Sequence, residues 1–316
     1  MYRSMKKKFL SLTLLASGLL FGAQGATAQT LAEKLGYDKD AILLIINNDD
    51  AGMCQAANMG TVKGMSEGLI TSATIMFNCA WSKGMVDWAK ENTDKDFGVH
   101  LTLTSEWRPY KWGTVAPPDQ VASLLDENGH LYRGVQEVYE HGDPQHAYLE
   151  GKAQIEKALA YGLSITHIDS HMGTYQLHPD YIAQYLRLAA EYNLPLRMAS
   201  QSTLEKFGMG DLRANASKLG LVFTDYMVYE ELQDYKDDVE GFWLNVIGDL
   251  QPGVTELYLH ASELTPELLA ITGTARKRAD ELEAFTSSPK IREALAAKNV
   301  HLISYRPLLE LQRSQK

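Results

Sequence analysis

The sequence has 316 residues, of which 45% are hydrophobic and 22% are charged, and this composition is typical of a soluble globular enzyme. It carries 30 Lys and Arg residues against 40 Asp and Glu residues, which gives a net charge of −10. This acidic balance argues against nucleic acid and anionic membrane surfaces as partners, and a neutral or cationic ligand fits it better.

The first 28 residues have the pattern of a secretory signal peptide. Residues 3–8 include four basic side chains, residues 9–21 form an apolar run, and Ala26-Thr27-Ala28 supplies small residues for cleavage. The run is short for a membrane span, so we expect no membrane insertion. We predict cleavage after Ala28 and a periplasmic or secreted mature protein, residues 29–316. Its 26 basic and 40 acidic residues give a net charge near −14.

Strands alternate with helices along the remaining chain. The predicted strands cover residues 43–46, 72–77, 97–103, 164–169, 194–198, 223–228, 255–259 and 300–304. The predicted helices cover residues 56–67, 82–90, 144–161, a stretch beginning at Pro179, 239–247, 273–285 and 290–297. The alternation predicts an α/β fold with a parallel sheet, and seven or eight such units imply one domain closed into a (β/α) barrel of about seven strands.

The first predicted strand ends in two adjacent carboxylates. The apolar residues 43–46 suit a strand buried on both faces, and Asn47-Asn48-Asp49-Asp50 follows at its carboxyl end, where α/β folds keep their sites. Neighbouring ionised carboxylates repel each other, and a metal ion would offset their charge. Alternatively, the Asp pair caps the helix that begins near Cys54.

Further polar residues lie at or near the ends of other predicted strands, and a barrel would bring them to one mouth. They are His100, Asp169, His171, Arg197 and His260. Two imidazoles and one carboxylate with open positions form the ligand set of a hydrolytic metal site, in which nitrogen donors favour Zn²⁺ and Mg²⁺ is possible. Each residue also has a structural alternative, such as a hydrogen-bonded core histidine for His100 or a buried salt-bridge partner for Arg197.

Two cysteines and two tryptophans have open roles. Cys54 and Cys79 follow the first two predicted strands, so a disulfide is possible, although we favour buried free thiols. Trp107 and Trp112 lie in the polar, aromatic segment after the third strand, which predicts a long loop above the sheet. They are expected either to stack on a sugar ring or to anchor this loop.

Three segments resemble, in the same order, the motifs of the YdjC-like carbohydrate deacetylases, which include chitooligosaccharide deacetylases and are related to the NodB-type polysaccharide deacetylases. The segments are Asn48-Asp49-Asp50-Ala51-Gly52, residues 98–104 (Gly-Val-His-Leu-Thr-Leu-Thr) and residues 166–171 (Thr-His-Ile-Asp-Ser-His). The likeness extends from about residue 42 to residue 308. Three ordered motifs at strand ends are a much more specific signal than any one of them.

The resemblance implies a deacetylase-like (β/α) barrel, one divalent cation and removal of N-acetyl groups from an amino sugar or oligosaccharide. Asp50, His100 and His171 match the metal ligands of the family. Asp49 matches its catalytic base, and His260 corresponds to the place of its general acid.

The resulting hypothesis is a secreted, metal-dependent amidohydrolase. Arg197 would orient the base, and Asp169 would support a ligand histidine from behind. Two alternatives remain open: a non-catalytic periplasmic carbohydrate-binding protein on the same barrel, and a metal-dependent esterase. The chain departs from many family members after the third motif, where Met172-Gly173-Thr174-Tyr175 replaces Gln-His-x-His, so chitin fragments in particular are not assumed as substrates.

Overall fold

The computed structural model describes residues 29–228 and 238–315, and the predicted signal peptide lies outside these ranges. Within them the chain forms seven strands whose pairings are all parallel. The strands are β1 (Ile42–Ala51), β2 (Ser72–Ile75), β3 (Asp96–Leu101), β4 (Ile165–Ser170), β5 (Tyr226–Met227), β6 (Gly253–Leu259) and β7 (Val300–Leu302).

Helices connect most of these strands. They are α1 (Leu31–Lys34), α2 (Gln55–Ser66), α3 (Ser82–Glu91), α4 (Val135–His141), α5 (Pro144–Ala160), α6 (Pro179–Tyr192), α7 (Gln201–Lys206), α8 (Leu212–Lys218), α9 (Val239–Asp249), α10 (Pro266–Ile271), α11 (Ala275–Ser287), α12 (Pro289–Ala297) and α13 (Arg306–Ser314), with 3₁₀ turns at Ala122–Leu124 and His171–Gly173. None of the helices in the described ranges combines the length and apolar character needed to cross a lipid bilayer.

The sheet is curled around β1, which lies at its centre. The strand order is β4-β3-β2-β1-β6-β5, and β7 pairs with the first residues of β1. Between the edges β4 and β5, Leu196 forms one parallel bridge to Ile168 and donates its amide to the carbonyl of Val222 at 3.4 Å. The predicted α/β barrel of about seven parallel strands is therefore confirmed as a curled half-barrel, whose gap is spanned by irregular chain.

Side chains of β1 alternate between two faces, as the two-residue period of a strand requires. Leu44 and Ile46 pack in the large core between sheet and helices. Leu43 and Ile45 point into the half-barrel and pack with Val254, Ile303, Tyr305 and Leu308. The interior is thus apolar at the amino end of the sheet, and Asn47 and Asp49 continue the same face towards its carboxyl end.

The structure departs most from the predicted strands at two segments. Residues 194–198 make the single bridge at Leu196 and not a regular strand, and the sixth predicted strand shortens to Tyr226–Met227. Both segments lie at the gap in the half-barrel, where few neighbours are available for a hydrogen-bonded ladder. Short helices such as α7, α8 and α10 were not predicted, because one or two turns show little apolar periodicity.

Candidate active site

A distortion of β1 turns two consecutive carboxylates towards one cavity. The register between β1 and β2 shifts between Asn48 and Ala51, and Asp50 has the left-handed φ of +61°. Regular strand geometry would point neighbouring side chains to opposite faces, but here both Asp49 and Asp50 line the same cavity. Asp tolerates this backbone better than most residues, at about 1–2 kcal/mol.

Asp50, His100 and His171 form a compact buried cluster. The Oδ1 atom of Asp50 lies 3.3 Å from His100 Nε2 and 3.3 Å from His171 Nδ1, and these two ring nitrogens are 3.2 Å apart. This Oδ1 atom is buried and has no hydrogen bond within the described part of the chain. The carboxylate oxygen and two imidazole nitrogens can be shared by one metal ion.

A carboxylate supports each histidine on its outer nitrogen. Asp169 Oδ1 lies 2.7 Å from His100 Nδ1, and Glu106 Oε2 lies 3.0 Å from His171 Nε2. Such contacts fix the orientation of an imidazole and direct its other nitrogen inwards. The sequence pattern predicts this role for Asp169 but not for Glu106, because Glu106 lies in an irregular loop.

Arg278 forms a hydrogen-bonded ion pair with the second carboxylate oxygen of Asp50. Its Nη1 donates to Asp50 Oδ2 at 2.8 Å, and its guanidinium lies 5.4 Å from the ring centre of Trp107. Burial alone would raise the pKa of Asp50, but Arg278, His100 and His171 hold this pKa well below its usual 3.8. Arg278 was also missed, since nothing on helix α11 marks it in the sequence.

The carboxylates around the two histidines favour their charged forms. Burial alone would lower the pKa of His100, but Asp169 and Asp49 outweigh it and raise the pKa to about 10. Similarly, Glu106 and Asp50 raise the pKa of His171 to about 9 against the effect of burial. Without a cation, protonation of these imidazoles would offset part of the negative charge of the surrounding carboxylates.

Asp49 is held by a bidentate ion pair. Arg197 donates from Nη1 and Nη2 to its two carboxylate oxygens, both at 2.7 Å, and from Nε to Glu256 at 2.8 Å. Asn47 Nδ2 donates to Asp49 Oδ1 at 2.8 Å. Burial alone would raise the pKa of Asp49, but Arg197 lowers it well below the usual 3.8. Asp49 is therefore an ionised carboxylate of fixed orientation beside the Asp50 cluster.

A second group of possible metal ligands, Asp49, His100 and Asp169, is already neutralised. Arg197 lies 3.1 Å from Asp169 as well as contacting Asp49, and the outer nitrogen of His100 faces Asp169. The Asp50 cluster keeps a carboxylate oxygen without a hydrogen-bond donor, so it is the better cation site.

His260 lies at the carboxyl end of β6 and lines the same cavity, which has a volume of about 410 Å³. Its backbone amide donates to Glu281 at 2.7 Å, and its ring packs edge-on against Tyr258. Burial and the charge of Arg278 lower the pKa of His260 to about 4, so its imidazole is neutral at pH 7.

The two tryptophans have different surroundings. Trp107 lines the cavity and packs edge-on against Trp112. Trp112 is only 5% exposed, donates its indole N–H to the carbonyl of Thr104 at 2.8 Å, and packs against the ring of His171. A sugar-stacking role therefore does not fit Trp112, because it is buried behind the site and anchors the loop.

Cys54 and Cys79 are buried free thiols, as we favoured.

Known proteins support the assignment of the fold and its motifs. A family model described as YdjC-like protein matches residues 43–297. A carbohydrate deacetylase of Thermoanaerobacter pseudethanolicus is 29% identical over 83% of this chain and 97% of its own length. Another, from Brevibacillus brevis, is 30% identical over 84% of this chain and 99% of its own length.

One solved structure is also similar over nearly its whole length. It is a protein of Enterococcus faecalis V583 described as a candidate cellobiose-phosphate cleavage protein, with a TM-score of 0.73 and 26% identity over 85% of this chain and 99% of that chain. The fold, the three ordered motifs and the match over residues 43–297 agree, and the chain belongs to the YdjC-like protein family.

Proposed function

We propose that this protein is a metal-dependent carbohydrate deacetylase that hydrolyses the N-acetyl group of an amino sugar or oligosaccharide. The curated relatives named carbohydrate deacetylase support the reaction class, since they match over nearly their full length. The observation that carries the proposal is the buried Oδ1 atom of Asp50, which faces two imidazole nitrogens and has an ionised Asp49 next to it.

The residues of the Asp50 cluster fit a divalent cation. Asp50, His100 and His171 would hold it, with Asp169 and Glu106 orienting the two imidazoles from outside. The nitrogen donors favour Zn²⁺, and Mg²⁺ is the second choice. Such an ion would supply Lewis acidity, which lowers the pKa of water and polarises the acetyl carbonyl.

Asp49 is suited to accept a proton from the attacking water. Its carboxylate is ionised and held by Arg197 on both oxygens, so its orientation does not depend on a substrate. Glu256 in turn holds Arg197, and Tyr305 donates a hydrogen bond to Glu256. This buried chain of contacts fixes the base relative to the sheet.

His260 is suited to pass a proton to the departing amine. It lines the cavity with Asp49, and its neutral imidazole can receive the proton that Asp49 removes from the water and pass it to the departing nitrogen. Because its pKa is lowered to about 4, the protonated ring is a stronger acid than an ordinary histidine and transfers the proton readily.

The test is acetate release from a panel of N-acetylated mono- and oligosaccharides, with and without a chelator, using the Asp50→Ala variant as the metal-site control. We expect release that the chelator and the substitution both abolish. Sugar binding without any release would favour the carbohydrate-binding alternative. Release only from O-acetylated sugars would favour the esterase alternative.

Export is a separate part of the proposal and rests on the composition of residues 1–28. Expression of the full chain in a Gram-negative host, followed by fractionation, should give a periplasmic protein that begins at residue 29. Retention of the first 28 residues in a cytoplasmic product would contradict it.

A further inference from the structure

One side of the active-site cavity is built from apolar side chains that no step of the proposed reaction uses. We define the apolar wall as the residues Met172, Leu177, Leu204, Phe207, Met209 and Met227, all of which line the same cavity as Asp49 and Asp50. They come from the turn after β4, from helix α7 and the chain that follows it, and from β5. Separate segments of the fold therefore contribute apolar side chains to one cavity.

Three residues of the apolar wall are exposed to an unusual degree for their type. Met172 is 44% exposed, Leu177 43% and Phe207 61%. Single exposed apolar residues are ordinary, but several that line one cavity beside a polar site indicate a binding surface. Covering these side chains with an apolar ligand group removes apolar surface from water, which is favourable.

Met172 is also held in an unfavourable backbone conformation. Its φ of +50° lies in the left-handed region, and it directly follows the histidine His171. The hydroxyl of Thr104 donates to Met172 Sδ at 3.4 Å. A non-glycine residue persists in this conformation only where the surroundings impose it, and such positions concentrate at functional sites. Here the result is an apolar side chain placed at the edge of the cation site.

We propose that the apolar wall binds an alkyl or aryl group that the substrate carries next to the amide being cleaved. This inference rests on the proposed deacetylase-type reaction and narrows its substrate class. Leucine and phenylalanine side chains offer no hydrogen bonds to sugar hydroxyl groups, methionine sulfur is only a weak acceptor, and a hydroxyl buried without a partner is unfavourable. An apolar substituent instead gains from contact, and flexible Met side chains adapt to its shape.

Two sources of this apolar group fit the same wall. It is either a longer acyl chain on the amide nitrogen or an apolar aglycone on the sugar. Each methylene fully buried against the wall increases kcat/KM by about fourfold. Even with partial burial, four to seven added methylenes should therefore give a gain of at least about tenfold.

The experiment uses two series of glucosamine derivatives. In the first, the methyl glycoside carries N-acetyl, N-butanoyl or N-hexanoyl groups, and in the second the N-acetyl sugar carries a methyl, hexyl or octyl aglycone. We expect kcat/KM to rise at least about tenfold along one of the two series, which identifies the source of the group. In the Phe207→Ser and Leu177→Ser variants, the ratio of kcat/KM for the longest substrate to kcat/KM for the shortest should fall towards one. The matched control is Leu159→Ser, which removes a similarly exposed leucine on helix α5 and should keep the ratio of the unmodified protein.

Binding separates this inference from the proposed function. Octyl glucoside has no amide, and titration calorimetry below its micellar concentration measures binding without turnover. If the protein binds octyl glucoside and the Phe207→Ser substitution weakens this binding at least fivefold, the apolar wall is supported. If, in addition, no N-acyl sugar is hydrolysed, only the deacetylase proposal fails. Flat kcat/KM values along both series, together with octyl glucoside binding no tighter than methyl glucoside, would overturn the inference.

Discussion

Arg197 offers the sharpest test of how the site is held together. Its guanidinium bonds to both oxygens of Asp49, contacts Asp169 at 3.1 Å and donates to Glu256 at 2.8 Å, and all four side chains are buried. The substitution Arg197→Met keeps much of the side-chain length but removes the charge. Because removing one partner of a buried ion pair leaves the other uncompensated, we expect a loss of about 3–5 kcal/mol in the free energy of unfolding.

The pH dependence of this loss has a definite sign. In the unmodified protein the pKa of Asp49 lies below its unfolded value, so its ion pair stabilises the fold above about pH 4 and is lost at lower pH. Burial already raises the pKa of Glu256 in the unmodified protein, although Arg197 opposes this effect. Without Arg197, burial raises the pKa of Asp49 as well and raises the pKa of Glu256 further. The folded variant then binds more protons than its unfolded state, so its stability falls as the pH rises, by about 1.4 kcal/mol per unit for each such group.

Urea denaturation at pH 5 and pH 7 measures both effects. The deficit of Arg197→Met should be larger at pH 7 than at pH 5. The matched control is Arg213→Met, since Arg213 donates to the backbone carbonyls of Ala199 and Thr224 and its loss should show little dependence on pH. A deficit in Arg197→Met below about 1 kcal/mol, or one equal at both pH values, would refute the reasoning.

Three further predictions concern the cation site and the packing beneath it. The pKa values of His100 and His171 are raised to about 10 and 9, so binding of one Zn²⁺ at pH 7 should release about two protons. Calorimetry in buffers of different ionisation enthalpy measures this number. Release of no protons would contradict these pKa values. Glu106→Gln should weaken Zn²⁺ binding by about 10–100-fold in a competition titration, whereas Glu127→Gln at the surface should not, and an unchanged affinity would remove Glu106 from the site. Gly98→Ala should destabilise the fold by about 1–3 kcal/mol, because its Cβ would lie 2.6 Å from the carbonyl oxygen of His167. Gly84→Ala, where nothing lies within 4 Å, should instead be neutral or stabilising, and equal thermal unfolding of the two variants would contradict this account.

The central residues of the site could be predicted because they lie at the ends of strongly patterned strands. The apolar run before Asp49 and Asp50 identifies β1, and His100 and His171 follow from β3 and β4 by the same logic. The carboxyl ends of parallel strands lie at the same edge of a sheet. The local sequence pattern is therefore sufficient to predict that these residues lie close together.

Asp169 and Arg197 could also be predicted from strand ends, but three other supporting residues could not be found in this way. Glu106 lies in an irregular loop, Arg278 on an outer helix, and Glu256 inside a strand among apolar neighbours. Their partners lie 65, 228 and 59 positions away along the chain, and only the tertiary structure determines these distances. Residues 194–198 were predicted as a strand for the same reason. Their local composition suits a strand, but it does not show that the described part of the sheet offers them a single bridge, at Leu196, and not a ladder.

The reversed backbone at Asp50 has a mechanical consequence. Because Asp49 and Asp50 are consecutive in the chain, peptide geometry limits how far apart the proposed base and the proposed cation ligand can move. If the open side of the half-barrel widens or narrows on ligand entry, His100 and His171 shift with their own strands, but the two carboxylates travel together. Covalent bonds therefore set an upper limit on the spacing between the two carboxylates, whereas the positions of His100 and His171 depend on how well the sheet is packed.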